Sequence, residues 1–178
     1  MVSGVAGELK KVEVKLKWDP SHWGQPPHHL DIIAATYSAD ASCGPPAYVV
    51  HTESRSPDGT INLTRHSETG LGFGFVEVMV LELDRLAPSY TRVVVGVAIH
   101  QRGGRMTFAD VTNTEVVITE RYTKLVSDTF AGVADCTAAT VAEFHRNTAG
   151  GWGLRHMLRG SDLDPVSFGR EMGQMTRP

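Results

Sequence analysis

Residues 10–18 read KKVEVKLKW. Val12, Val14, Leu16 and Trp18 fall on one side of an extended chain, and Lys11, Glu13, Lys15 and Lys17 on the other. Side chains alternate across a strand, so this is the signature of a strand with one buried and one solvated face. The same period recurs at 75–83, FVEVMVLEL, where Glu77 and Glu82 are the only charges. Residues 31–37 (DIIAATY) and 92–99 (RVVVGVAI) are almost continuously apolar and β-branched, as strands covered on both faces are. Residues 47–51, 111–120, 140–145 and 152–158 complete the set. About eight to ten short strands separated by turn-rich loops predict an all-β antiparallel sandwich of two sheets. Ser56-Pro57-Asp58-Gly59 is a turn with proline and glycine where a type I turn prefers them. One helix is expected, at 165–172, with Asp164 as N-cap and Pro165 at the first helical position.

Length and composition narrow the field. A chain of 178 residues with 41% hydrophobic and 21% charged residues suits one globular domain, here taken as 1–178. Seventeen basic and 20 acidic residues leave a net charge of −3, which offers no concentrated basic surface for nucleic acid. Two cysteines, Cys43 and Cys136, do not make a disulfide framework. The stretch 1–11, MVSGVAGELKK, lacks the apolar core of a signal peptide, and the longest apolar run, 93–99, is far short of a membrane span. A soluble, cytoplasmic protein with reduced thiols is the expectation.

Signs of catalysis are weak. Gly70, Gly72 and Gly74 in ETGLGFGFVE (68–77) imitate a nucleotide loop, but a strand follows them instead of a helix, and their spacing is wrong. No Gly-x-Ser-x-Gly elbow is present. Glu143 and His145 share a strand face, as many solvated pairs do, and nothing places a base beside Cys43. A protein that binds without catalysing is the expectation. The eight histidines include the cluster His28-His29-Leu30-Asp31, with His22 upstream and His66 at the start of the glycine loop. Imidazole and carboxylate together suit zinc or another transition metal.

The order of these pieces resembles the tellurium-resistance TerD family over nearly the whole chain. The resemblance rests on Trp18-Asp19, His29-Leu30-Asp31, SPDG at 56–59, HSETGLGFGFVEV at 66–78, VVVGVAIH at 93–100, FADVTN at 108–113 and GGWGLRHMLRG at 150–160. It implies a β-sandwich and a cytoplasmic, non-enzymatic role in tellurite, oxidative or other chemical stress; a separate expectation is a protein-interaction module of a stress complex, with protein partners of unknown identity. It also implies calcium held between loops by acidic side chains. Only Asp31 and Glu77 retain acids at those family positions. His29 and His66 stand where the family has aspartates, and Phe73, Phe75 and Val76 replace acids among the glycines. Calcium needs six to eight oxygen ligands, several charged, so the resemblance predicts a calcium site weakened or lost. His29, Asp31 and His66 are the candidates for a re-purposed zinc or transition-metal site. Phe73 and Phe75 are expected to plug the former calcium loop, and their alternative role is contact with a protein partner.

Overall fold

The computed structural model describes residues 8–174 and forms two five-stranded antiparallel sheets. One sheet has the order β4-β5-β1-β7-β8, from β1 (Lys11–Lys17), β4 (Ile61–Arg65), β5 (Glu77–Glu82), β7 (Glu115–Glu120) and β8 (Thr123–Asp128). The other has the order β10-β9-β6-β2-β3, from β2 (Leu30–Ser38), β3 (Tyr48–Val50), β6 (Tyr90–Ile99), β9 (Ala138–Arg146) and β10 (Trp152–Ser161). Among the described residues a single α-helix, α1 (Pro165–Glu171), follows β10. Asp164 caps it, its carboxylate accepting the Ser167 N–H at 3.0 Å.

The two kinds of hydrophobic pattern have one explanation. β1 lies mid-sheet with its inner face on the core and its outer face in water, hence Val12, Val14 and Leu16 buried and the lysines outside. β2 and β6 have two covered faces. Their inner residues, among them Ile32, Val95 and Val97, join the main core, while Ile33, Ala35, Val94 and Ala98 pack under α1 with Phe168 and Met172. Gly96 makes this docking possible: a Cβ there would sit 2.6 Å from both the Phe168 ring and the Ala139 carbonyl oxygen.

Several boundaries differ from the sequence expectation. The strand expected at 111–120 begins only at Glu115, because Thr107 and Asp110 form a capping box around a 3₁₀ turn and Asn113 takes a left-handed φ of 54°. β4 and β8 were not anticipated. Both are edge strands with largely exposed, polar side chains, so neither carries a clear period. β10 extends to Ser161 through a register shift between His156 and Arg159, which interrupts the alternation.

Candidate metal centre at one corner of the sandwich

Strand register assembles the site. β2 and β6 pair Leu30 with Ile99, so the ladder continues outward to His29 opposite His100, and the His100 N–H donates to the His29 carbonyl at 2.9 Å. The two imidazoles stack, with centroids 3.9 Å apart and planes 10° from parallel. Asp31 lies two residues further along β2, on the same face as His29. Its Oδ2 is 2.7 Å from His100 Nε2, and its Oδ1 is 3.1 Å from His29 Nε2.

The other sheet supplies the remaining groups. β3 pairs with β2 only from Ala34 to Thr36, which leaves the edge of β2 at Ile32 open. Glu77, at the start of β5, fills that gap: its Oε2 accepts the Ile32 N–H at 2.6 Å. The β4–β5 ladder shifts register between Leu63 and Arg65, and His66 emerges beside Glu77, with Nδ1 2.7 Å from Oε1. Thr52 Oγ1 bridges the halves, 3.2 Å from both Asp31 Oδ1 and His66 Nδ1.

The result is two overlapping triads, His29–Asp31–His100 and Asp31–His66–Glu77, whose ligand atoms lie within 4.8 Å of one another in each. The sequence grouped His29, Asp31 and His66 together. The structure distributes them across both triads, with Asp31 common to each. Sequence reasoning did not single out His100. The signal was present as a histidine closing the buried run VVVGVAIH, but its use needed the β2–β6 register. His22 is exposed outside both triads, and the His28 ring instead meets the Asp19 carbonyl at 3.3 Å.

Electrostatics separates the two carboxyls. Burial pushes the Asp31 carboxyl upward, but the His100 hydrogen bond and the proximity of both the His100 and His29 imidazoles outweigh it and hold the group below the ordinary carboxylate range. Glu77 is completely buried, and burial together with the negative charge of Asp31 raises it well above the ordinary range, against the pull of backbone N–H groups at Ile32 and Ser67. His29 is also buried, at 5% exposure, and neither ring nitrogen has a well-formed hydrogen bond. Nε2 is close to Asp31 but poorly aligned with it, so proximity alone does not satisfy the ring. Buried polar atoms in this condition are uncommon, and an ordered water or an ion accounts for them.

The donor set does not fit a calcium cage. It contains three imidazoles, two carboxyls of which Glu77 is held toward its neutral form, and one hydroxyl. Nitrogen-rich sets of this kind suit zinc, copper, nickel or iron.

Other expected positions resolve differently. Phe73 does not plug the site: it is 96% exposed, and Leu71 beside it is 70% exposed. Phe75 is half-buried with the Lys17 ammonium 5.6 Å from its ring centroid. Gly70 is what the loop requires structurally. Its φ is +84°, and a Cβ would sit 2.5 Å from the Trp18 indole nitrogen, which itself donates to the His28 carbonyl at 2.7 Å. The glycine loop thus lies against the start of the 19–29 segment. Glu143 is engaged by Arg92 at 2.5 Å and Arg155 at 2.6 Å, leaving His145 as an exposed neighbour. Cys43 and Cys136 are free thiols. Asp19 accepts from Thr112 and Asn113, each at 3.0 Å, so two of the most recognisable motifs meet as framework.

The TerD domain family matches residues 2–163, and the chain belongs to that family. Among solved structures it is similar to SCO6318, a homologue of telluride resistance protein (TerD) from Streptomyces coelicolor A3(2). The TM-score is 0.91 and the identity 64%, over 93% of this chain and 98% of that one. It is also similar to SAV2460, a protein of unknown function, with TM-score 0.92 and identity 52%, over 94% of this chain and 98% of that one. No functionally curated protein matches the chain. Among the described residues no helix is long and apolar enough to cross a membrane.

Proposed function

We propose that this chain is a non-enzymatic, stress-associated binding protein of the cytoplasm, in which the corner around Asp31 binds a transition metal ion of the zinc class instead of calcium. The observation that carries the reading is His29: a buried imidazole with no well-formed hydrogen bond, facing an ionised carboxylate and stacked on a second imidazole. A metal ion would satisfy that ring, with Asp31 and His100 beside it and the His66 ring of the other sheet 5.7 Å away, centroid to centroid. Likeness to a homologue of a telluride resistance protein supports the link to chemical stress.

The test is thermal unfolding of metal-stripped protein with zinc and, separately, calcium, each reversed with chelator. A ligand at a hundred times its Kd adds about 2.7 kcal/mol. For a chain of this length that is a rise of roughly 5–10 °C. Zinc at micromolar concentration is expected to give this rise, and His29→Ala and His100→Ala to reduce it. A rise with micromolar calcium and none with zinc would overturn the reading.

Exposed Leu71 and Phe73 favour a second reading, a protein-interaction module that needs no metal. Partner binding that survives chelator and disappears in Phe73→Ser, with no response to zinc, would establish it.

A further inference from the structure

The two triads differ in what surrounds them. A cavity of about 210 Å³ adjoins His29, Asp31 and His100, whereas His66 and Glu77 do not line it. A metal ion on the first triad would face this cavity, whose wall also carries the His51 imidazole and the Thr52 hydroxyl. Two histidines and one carboxylate with vacant positions is the pattern of sites that exchange ligands, unlike the closed four-ligand pattern of structural sites.

The cavity walls describe what fits. Ile33 from β2 and Pro165 and Val166 from the first turn of α1 form an apolar side. Arg102 supplies a cation, and among the described residues it has no hydrogen bond or ion pair of its own. Glu53 and Glu68, both exposed, also line the cavity. They disfavour a ligand with more than one negative charge. The volume lies below the roughly 300–1,000 Å³ range of drug-sized pockets.

Resting on the metal reading, we infer that the His29–Asp31–His100 triad is an open metal centre whose cavity receives a small aliphatic monocarboxylate. Its carboxylate would sit on the cavity side of the three ligands, and its short alkyl tail would lie against Ile33, Pro165 and Val166. Arg102 stabilises the carboxylate from the solvent side, a pairing its planar guanidinium suits.

The test uses the full chain loaded with cobalt(II), whose visible spectrum reports coordination. Butyrate is titrated in, with butyramide and succinate as comparisons. Butyrate is expected to change the cobalt bands saturably, succinate more weakly, and butyramide not at all. Arg102→Gln is expected to weaken butyrate binding about tenfold, the equivalent of one 1.4 kcal/mol contact, while leaving cobalt affinity unchanged. Val166→Trp, which fills the cavity from an exposed position, is expected to abolish the butyrate response and keep the cobalt spectrum. A cobalt spectrum indifferent to butyrate would overturn the open centre and leave the metal reading intact. A butyrate response unchanged in both variants would place the carboxylate outside the cavity and overturn the inference. Failure to bind cobalt or zinc at all would overturn the metal reading, and this inference with it.

Discussion

His29 and His100 stand face to face, 3.9 Å apart, each presenting Nε2 to a different oxygen of Asp31. One carboxylate therefore serves two imidazoles contributed by neighbouring strands. In the metal-free protein this arrangement joins β2 to the chain leaving β6.

Asp31→Asn removes the charge that both imidazoles face while keeping the shape. Losing a buried, charge-assisted hydrogen-bond acceptor costs about 1–3 kcal/mol. Denaturant titration of the metal-free variant at pH 7 is expected to show a loss of that size with an unchanged slope. The zinc-induced rise in unfolding temperature should also vanish. An Asp31→Asn protein that keeps the full zinc response would remove Asp31 from the site.

The two carboxyls impose opposite pH dependences. Asp31 titrates lower in the fold than its usual 3.8, so its contribution is present at neutral pH and is lost as pH falls below that value. Glu77 titrates above its usual 4.5, so the unfolded chain ionises first. Its contribution is complete below 4.5 and declines as pH rises toward the folded value. Glu77→Gln should therefore raise metal-free stability at pH 8 relative to wild type and flatten the decline from pH 5 to 8, read from urea midpoints. Equal destabilisation at both pH values would mean that Glu77 is ionised in the fold.

Phe73 projects into solvent and not into the metal corner. Phe73→Ser is accordingly expected to change stability by no more than about 0.5 kcal/mol. A buried plug would cost about 3–5 kcal/mol on truncation to a small residue. Equilibrium unfolding of this one variant distinguishes the two.

Gly96 and Phe168 test how α1 is held. A methyl group at Gly96 meets the Phe168 ring on one side and the Ala139 carbonyl on the other. Overpacking of this kind costs typically about 1–3 kcal/mol. Gly96→Ala should lower stability by that amount and speed proteolytic cleavage near Arg170, because the ring must leave its seat. Resistance to protease equal to wild type would show that the helix adjusts without undocking.

Much of the fold was legible because strand period is local. The alternation at 10–18 marks β1, the continuous apolar runs mark β2 and β6, and Asp164-Pro165 marks the start of α1. β4 and β8 escaped because edge strands bury little and their side chains need not alternate in hydrophobicity. At the site, Asp31, Glu77, His29 and His66 were legible from family positions. His100 was not, since it lies 69 residues from Asp31 in sequence.

The sequence by itself determined which segments extend, which faces seek the core, and that histidines stand where the family carries acids. Only the tertiary structure decided that His100 stacks on His29, that Asp31 is shared by two triads, and that Phe73 faces water. The reason is physical. Period and capping act over a few residues and are written in the chain, whereas contact between distant side chains depends on strand register and on where β3 stops covering β2.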